Sequence, residues 1–223
     1  MARASDASPL KQERAKRTRQ VILIAAARTI ERVGYAGARL DEIGRDAEVT
    51  KGALYFHFRS KADIARALME AHHERWREIT RRVSGYGLDP LTTMVALSFA
   101  VARNYRASEI ARAGVRLGNE YQSIDAELPR PFVGWIDRLT DLLRAAQAEG
   151  LIREDVDCPS AAAGVVASYF GVQEMSARLS GGKDLIRRLR AWWTLFLPAL
   201  AGEEGAQEVL ARITERGTVR PSE

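Results

Sequence analysis

The sequence contains a single cysteine, Cys158, among its 223 residues. One thiol cannot form an intrachain disulfide, so the fold must depend on burial of apolar side chains, which make up 46% of the chain. The sequence also lacks a charged start followed by a long apolar run, the pattern of a signal peptide or a membrane span. We therefore expect a protein of the reducing cytoplasm.

The patterns typical of enzymes are missing as well. There is no Gly-rich phosphate loop of the Walker type, and no histidine is placed to activate Cys158 as a nucleophile. The only histidines are His57 and the adjacent pair His72 and His73. Neighbouring residues of a helix diverge by about 100°, so this pair with one further histidine does not predict a metal site. We expect no enzymatic activity, no cofactor and no metal ion.

Acidic and basic residues are nearly balanced over most of the chain but not at its start. Residues 1–61 hold 13 Lys or Arg and 7 Asp or Glu, a net charge of +6, whereas residues 62–223 hold 21 and 22, a net charge of −1. A basic excess confined to one small segment is typical of a module that binds nucleic acid phosphates. Composition alone leaves a second interpretation open, a solvated basic arm on an ordinary soluble protein.

The spacing of the apolar residues predicts helices along the chain and no strand. A basic run from Lys11 to Arg19 leads into a first helix, which ends at Gly34 because glycine readily adopts the left-handed conformation. Its buried face repeats every three to four positions: Ile22, Ala25, Ala26, Ile30 and Val33. A second, very short helix has an apolar face formed by Leu40, Ile43 and Ala47.

Capping signals define the next two helices. Thr50 is a good N-cap for a third short helix, in which Leu54 and Phe58 stand i, i+4 on the buried side. Ser60 opens an approximate capping box, and the pattern then runs unbroken over residues 61–82. A tight turn between the second and third of three short helices predicts a helix-turn-helix, which inserts its last helix into the major groove of DNA.

The third helix carries a specific resemblance. Residues 50–58 read Thr-Lys-Gly-Ala-Leu-Tyr-Phe-His-Phe and are followed by Ser60-Lys61. This segment closely resembles the recognition-helix signature of the TetR family of repressors. Gly34-Tyr35 and residues 40–43 also fall where that family ends its first helix and forms its second. The resemblance covers about residues 16–65 and implies an all-α protein, with a three-helix DNA-binding domain and a larger helical domain for ligand binding and dimerisation.

The resemblance also implies which residues contact DNA: Arg39, Thr50, Lys51, Gly52, Tyr55, His57 and Lys61. Lys51 can donate to guanine O6 and N7, and Gly52 lets the backbone approach without a side chain in between. Thr50, Tyr55 and His57 can donate to phosphate oxygens, and Lys61 would reach the flanking backbone. For His57 an ordinary surface or core histidine is the alternative. Arg39 stands where the family commonly has a Thr or Ser cap, so a phosphate contact is gained and a cap of about 1 kcal/mol is lost.

The rest of the chain is predicted to be an Ala- and Leu-rich helical body. Its predicted helices span residues 90–106, 108–120, 132–149, 159–179 and 184–201, with a short amphipathic helix near 206–216. The expected organisation is a disordered basic arm (1–15), the helix-turn-helix domain (16–61), a ligand-binding and dimerisation domain (62–203) and a C-terminal tail (204–223). The last two long helices carry five aromatic residues and can form a four-helix bundle across a two-fold axis: Tyr169, Phe170, Trp192, Trp193 and Phe196.

Two further segments, residues 113–117 and 128–135, look like the γ-butyrolactone-receptor branch of the family. These are actinomycete repressors of antibiotic and development genes that respond to butyrolactone, butenolide or furan autoinducers. The resemblance implies a homodimer that binds a palindromic operator and a small apolar ligand. It also implies the positions that line the ligand cavity: His72, His73, Phe132, Trp135, Phe170 and Val172. The ring and N–H of Trp135 suit a cavity that stacks on a flat ligand and orients its carbonyl.

Two other functions remain open, and so does a purely structural explanation of some apolar residues. A drug-responsive efflux repressor of the same fold would differ in the chemistry of its cavity wall. An architectural DNA-binding protein without an effector would have a filled body. Leucines such as Leu139 and Leu143 are more simply explained as plain core than as pocket.

Overall fold

The computed structural model describes residues 9–124, 127–128 and 133–215. Within these ranges it contains no strand, and its helices are α1 (Pro9–Gly37), α2 (Leu40–Asp46), α3 (Lys51–His57), α4 (Lys61–Ser84), α5 (Pro90–Ala107), α6 (Glu109–Asn119), α7 (Val133–Ala148), α8 (Cys158–Ser180) and α9 (Leu185–Glu215), with a 3₁₀ turn at Tyr121–Ser123. The all-α prediction is confirmed. The chain divides into two compact units, one of residues 1–74 and 108–129 and one of residues 75–107 and 130–223.

The first unit is built around an apolar core to which α1, α2, α3, α6 and the first half of α4 all contribute. Its members include Ile22, Ile30, Ile43, Leu54, Phe58, Leu68, Ala113 and Leu117. The predicted pair on α3 is confirmed, because Leu54 and Phe58 are each only 2% exposed. Burial of each such side chain contributes roughly 1.5–3 kcal/mol. This core holds the short α3, which is too short to be stable alone.

The first helix changes direction at Gly34, which has φ +77°. This confirms the predicted left-handed residue, although one more turn of helix follows it up to Gly37. The prediction that Val33 lies on the buried face is wrong, since its side chain is 37% exposed. The change of direction places Val33 beside Gly37, where an added Cβ would lie 3.2 Å from the Cβ of Val33.

The predicted caps of α3 and α4 are present. The hydroxyl of Thr50 accepts a hydrogen bond from Ala53 N at 3.2 Å. Ser60 Oγ accepts from Asp63 N at 3.1 Å, and the Asp63 carboxylate in turn accepts from Arg59 N at 3.1 Å. Two N–H groups at the start of α4 are thereby satisfied, which fixes where α3 ends and α4 begins.

The second unit surrounds α5 with α7, α8, α9 and the last part of α4. Ten consecutive residues of α5, from Leu91 to Ala100, are buried. A helix that is apolar all round is a central core helix rather than a surface helix. Its start is capped by Asp89, whose Oδ1 accepts a hydrogen bond from Thr92 N at 2.8 Å.

The segment predicted as a C-terminal tail (204–223) belongs in part to the core of the second unit. The short helix predicted near residues 206–216 is confirmed, because the backbone leaves the helical conformation at Gly202, which has φ +72°, and a second helical stretch of α9 then runs to Glu215. Three side chains beyond this point, Ala206, Val209 and Ile213, are 3–6% exposed and join the core of the second unit. The segment is packed because its apolar residues repeat at helical spacing.

Two other segments also differ from the predicted organisation. The basic arm 1–15 was expected to be disordered, but α1 already begins at Pro9. Residues 11–16 (Lys-Gln-Glu-Arg-Ala-Lys) are all strong helix formers, which explains the early start. Furthermore, α6 groups with the first unit rather than with the other body helices. Its side chains Ala113 and Leu117 are fully buried in the core that includes α1.

Candidate DNA-binding surface and ligand cavity

The start of α3 presents a polar, solvent-exposed face. Thr50, Lys51, Gly52 and Tyr55 are all exposed, and Arg39 at the start of α2 is exposed as well. Lys51 Nζ lies 6.0 Å from the centroid of the Tyr55 ring. A cation and a phenol hydroxyl on the exposed start of a short helix are the donors that base edges and phosphates require.

Packing among the described residues does not require a glycine at position 52. A Cβ added at this position would meet no atom of the described residues within 4 Å. Glycine inside a helix destabilises it by roughly 0.5–1 kcal/mol relative to alanine. A residue that weakens its own helix without a packing role indicates close approach by an external partner.

Two of the residues predicted to contact DNA, Lys61 and His57, also interact with other residues of the protein. Lys61 Nζ donates to Tyr35 O at 2.7 Å and to Ala36 O at 3.2 Å, and it lies 4.5 Å from the Tyr35 ring centroid. Its ammonium therefore also neutralises the carboxyl end of α1. His57 is partly buried, and this burial together with the nearby Arg19 lowers its pKa. Its ring is therefore largely neutral at pH 7.

Arg39 occupies the N-cap position of α2 with no side-chain capping bond. This agrees with the expected loss of a cap at this position. Phe56, between Tyr55 and His57, was not among the predicted contacts, yet its ring is 80% exposed. An aromatic ring so exposed on the recognition helix is a further candidate for contact with DNA.

The second unit encloses a narrow, mainly apolar cavity. About 20 Å³ is open to the centre of a water molecule, which is room for about one water. The wall is formed by residues from α4, α5, α7 and α8: Trp76, Met94, Leu97, Ser98, Val101, Trp135, Arg138, Leu139, Val165, Val166 and Tyr169. Of the predicted ligand positions, Trp135 is therefore part of this wall.

Trp135 lies within an aromatic cluster. Its ring centroid is 5.6 Å from that of Trp76, 5.6 Å from that of Tyr169 and 6.1 Å from that of Phe170. The rings are tilted by 34–55° rather than stacked. Such a cluster forms an apolar, polarisable surface suited to a flat ligand ring.

Polar groups in the cavity wall fall into two kinds. Ser98 Oγ has two partners, since it donates to Val95 O at 2.6 Å and accepts from Trp193 Nε1 at 2.8 Å. By contrast, the Tyr169 hydroxyl and Arg138 Nε are buried and have no hydrogen-bond partner among the described residues. Burial raises the pKa of Tyr169, so the hydroxyl stays protonated.

The other predicted ligand positions do not line this cavity. His72 and His73 belong to the first unit, where an added Cβ on Gly114 would be 2.5 Å from His72 Cγ. Burial and the neighbouring His73 lower the pKa of His72 to about 4. Phe170 touches the cluster, Val172 packs against the core, and Phe132 lies outside the described residues.

Sequence analysis predicted only Trp135 of this wall and missed the other residues, among them Trp76, Arg138 and Tyr169. Trp76 follows His72 by four positions on α4, which places it on the same helical face as a predicted pocket residue. Arg138 and Trp135 are likewise three positions apart on α7. These spacings are the available signal in the sequence, whereas Tyr169 is predicted only as part of the dimer bundle.

No helix in the described ranges is long and apolar enough to cross a membrane. Nor do the described residues include three or more His, Cys, Asp or Glu side chains grouped as metal ligands.

A helix-turn-helix with an exposed recognition helix, in a chain that also encloses an apolar cavity, defines a DNA-binding regulator that responds to a small ligand. The family model "Bacterial regulatory proteins, tetR family" matches residues 22–68. A second model, "Tetracyclin repressor-like, C-terminal domain", matches residues 88–202. The chain belongs to the TetR family of bacterial regulatory proteins.

Similar proteins agree with this assignment. The A-factor receptor protein of Streptomyces griseus is 36% identical over 209 residues, which are 94% of this chain and 71% of that protein. A solved γ-butyrolactone receptor described as ArpA-like is 32% identical with a TM-score of 0.79, covering 91% of this chain and 99% of that one. A structure from work on control of antibiotic production by bacterial hormones is 37% identical with a TM-score of 0.75, covering 82% and 97%.

The chain is therefore a transcriptional regulator and not an enzyme. As a member of this family it binds operator DNA as a dimer.

Proposed function

We propose that this protein is a cytoplasmic repressor of antibiotic or other secondary-metabolite genes, released from its operator by a small signalling molecule of the γ-butyrolactone, butenolide or furan type. The single observation that carries the proposal is the position of Trp135 in the wall of the apolar cavity, in ring contact with Trp76 and Tyr169. The likeness to the A-factor receptor protein supports the same ligand class.

The narrowness of the cavity supports a mechanism of release. Ligand pockets usually have volumes of about 300–1,000 Å³, whereas this cavity admits about one water. A ligand can shift a population of conformations only through its different affinity for each. A ligand that must separate α4, α5, α7 and α8 to enter meets this condition, because it binds only the widened form.

We further propose that the DNA-contacting residues are those of the exposed face, with Lys51 and Gly52 at the bases and Thr50, Tyr55, His57, Arg39 and Lys61 at the phosphates. Their exposure on α2 and α3 supports these roles for all but His57 and Lys61, which are partly buried. Lys61 still has one of its three ammonium donors available beyond its two hydrogen bonds to α1.

The test measures release of DNA by defined effectors. A duplex selected from random sequence with the purified dimer serves as operator, and an alkyl γ-butyrolactone, an alkyl butenolide and an alkyl furan serve as probes. We expect Trp135→Ala to bind the duplex with nearly wild-type affinity and to lose release, and Trp135→Phe to keep part of it. Release of the Ala variant at wild-type effector concentration would rule out the proposed pocket.

A further inference from the structure

The start of α1 extends beyond the core of the first unit. The first buried residues of this helix are Ile22 and Leu23, whereas eight of the ten residues 11–20 before them are exposed. These ten residues, which we call the basic extension, contain five Lys or Arg and one Glu, a net charge of +4. The rest of residues 1–61 holds 8 Lys or Arg and 6 Asp or Glu, a net charge of only +2. The basic excess of that segment therefore lies mainly in the basic extension.

The cations of the basic extension have no counterion in the part of the chain that the structure describes. Lys11, Arg14, Lys16, Arg17 and Arg19 are all exposed, and none of their side chains forms an ion pair or a hydrogen bond there. Three pairs of them stand three positions apart, a spacing at which like charges destabilise a helix. Most stability of a protein helix comes from an apolar face packed on a core, which this segment lacks. An exposed helical segment of this kind indicates an anionic partner outside the protein.

The basic extension begins beside the recognition helix. The guanidinium carbon of Arg19 lies 4.9 Å from the ring centroid of Phe58. Phe58 is the C-cap residue of α3 and is 2% exposed, so this ring contact is fixed by the core of the first unit. The positive charge of the extension is thus continuous with the surface that α3 presents to DNA.

The chemistry of the extension favours duplex phosphates over an anionic membrane. A helix that lies on a membrane needs an apolar face, and the only apolar residue among positions 11–20 is Ala15. Guanidinium and ammonium groups, by contrast, bind phosphate oxygens through strong charge-assisted hydrogen bonds. From Lys11 to Arg19 the helix rises by about 12 Å, and about 12 Å of duplex carries about seven phosphates.

We propose that the basic extension binds the phosphates of operator DNA outside the base pairs that α3 reads, so that each protomer covers about three or four further base pairs. Phosphates carry no sequence information, so the contact adds affinity without changing the recognised sequence. The family model begins only at residue 22, after the extension. The inference rests on operator binding by the family and goes beyond the effector site proposed above.

The experiment compares two lengths of operator with the full-length dimer, by fluorescence anisotropy at fixed salt. The short duplex ends at the outermost base pairs whose substitution changes affinity, and the long duplex adds about six base pairs of arbitrary sequence at each end. We expect the wild type to bind the long duplex about tenfold more tightly. Shuffling the added base pairs should leave this ratio unchanged, because only phosphates are contacted.

A charge variant tests the extension itself. It combines Lys11→Gln, Arg14→Gln, Lys16→Gln and Arg17→Gln, which keep strong helix formers and leave Arg19 on Phe58. We expect the ratio of affinities for the long and short duplexes to fall to about threefold or less. The slope of log affinity against log salt on the long duplex should decrease in magnitude by about 3 or more.

A matched control removes the same number of positive charges from the second unit. It combines Gln substitutions at four exposed cations: Arg82, Arg144, Arg153 and Lys183. This control should keep the wild-type ratio and salt slope. The Tm of the extension variant should stay unchanged or rise, because the substitutions remove like-charge neighbours. A Tm lowered by several degrees would show that these cations stabilise the fold and would overturn their assignment to DNA.

The remaining outcomes separate this inference from its alternatives. If the wild type binds the short and long duplexes equally well, the extension is only a solvated helix and the inference is wrong, while the proposed function stands. If the control variant lowers the ratio as much as the extension variant, net charge alone is responsible and the inference is also wrong. If the extension variant loses only binding to phosphatidylglycerol vesicles and keeps the wild-type duplex ratio, the partner is a membrane and not DNA.

Discussion

The carboxylate of Glu120 accepts a hydrogen bond from the backbone N–H of Tyr35, with Oε2 2.7 Å from the nitrogen. Its other oxygen accepts from Arg116 Nε at 2.9 Å, and Arg116 Nη1 donates to Glu31 O at 2.9 Å. The end of α6 is thus joined to the end of α1 by charge-assisted bonds within the first unit. Gly34 lies under this network, where an added Cβ would be 2.7 Å from Glu120 Oε1.

Glu120→Ala should destabilise the first unit. Hydrogen bonds to charged groups contribute about 1.5–3 kcal/mol, and the partial exposure of this carboxylate places its effect near the lower end. We expect the free energy of unfolding in urea to fall by roughly 1–2 kcal/mol. Glu149→Ala is the control, because Glu149 is exposed and forms no side-chain hydrogen bond with the described residues. Equal effects of the two substitutions would contradict the role of Glu120.

Gly52→Ala should move stability and DNA affinity in opposite directions. Alanine favours the helix by roughly 0.5–1 kcal/mol, and its Cβ meets no atom within 4 Å in the part of the chain that the structure describes. We expect a higher Tm and an operator affinity reduced by about tenfold, measured by fluorescence anisotropy of labelled DNA. Gly134→Ala is a matched control, since Gly134 is likewise the second residue of its helix and equally free of contacts. The control should raise Tm and leave DNA affinity unchanged.

Lys51→Ala should distinguish base contacts from phosphate contacts. If Lys51 donates to a guanine, its loss should cost roughly 1–3 kcal/mol on the operator and relax the preference at one base pair in each half-site. Tyr55→Phe should instead weaken operator and random DNA alike, because phosphates carry no sequence information. Binding of both variants to both duplexes at fixed salt provides the comparison. An equal loss on the two duplexes for Lys51→Ala would remove its assignment as a base contact.

Gly114 is required by the close approach of His72. An added Cβ would lie 2.5 Å from His72 Cγ, and overpacking of this kind typically costs about 1–3 kcal/mol. Gly114→Ala should therefore lower Tm, and His72→Ala in the same chain should restore part of the loss. A double-mutant cycle of unfolding free energies measures this coupling. If the effects of the two substitutions on the unfolding free energy are strictly additive, the two residues are not in contact.

The lowered pKa of His72 predicts a loss of stability in mild acid. The unfolded chain binds a proton near pH 6.5, while the folded chain resists it down to about 4. The free energy of unfolding is therefore unaffected by this histidine above pH 6.5. It falls as the pH decreases towards 4, by at most about 1.4 kcal/mol per pH unit. Carboxylates with lowered pKa, such as Asp89 and Glu109, lose their stabilising effect mainly at the acid end of this window and below it, so a His72 variant is needed to isolate the histidine.

Urea unfolding of wild type and His72→Gln at several pH values between 4 and 7 checks this prediction. The difference between the two proteins should shrink or reverse in sign as the pH falls, whereas His73→Gln should keep most of the wild-type slope, because burial, the larger cause of the lowered pKa of His72, is unchanged. Parallel curves for wild type and His72→Gln would show that His72 is not the group responsible.

The features that could be predicted from the sequence depend on neighbouring residues. Thr50, Ser60 and Asp89 cap helices because a short polar side chain reaches an N–H group two or three residues ahead, wherever the rest of the chain lies. Leu54 and Phe58 are buried because helical periodicity alone places them on one face. The recognition helix could therefore be located to within one residue of its observed start.

The features that could not be predicted depend on contacts between distant segments. The association of α6 with α1 follows from bonds such as that between Glu120 and Tyr35, which are 85 positions apart. The wall of the cavity combines Arg138 of α7 with Tyr169 of α8, and no local pattern relates these positions. Val33 continues the apolar repeat of α1, yet it is exposed, directly before the change of direction at Gly34.

The position of the tryptophans gives the molecule an intrinsic optical reporter. All four, Trp76, Trp135, Trp192 and Trp193, belong to the second unit, and the first unit has none. Trp76 and Trp135 line the cavity, while the indole N–H of Trp193 is bonded to Ser98 in the cavity wall. Tryptophan emission from the unlabelled protein therefore arises mainly near the proposed effector site. A dye on the DNA can report release of the operator in the same sample.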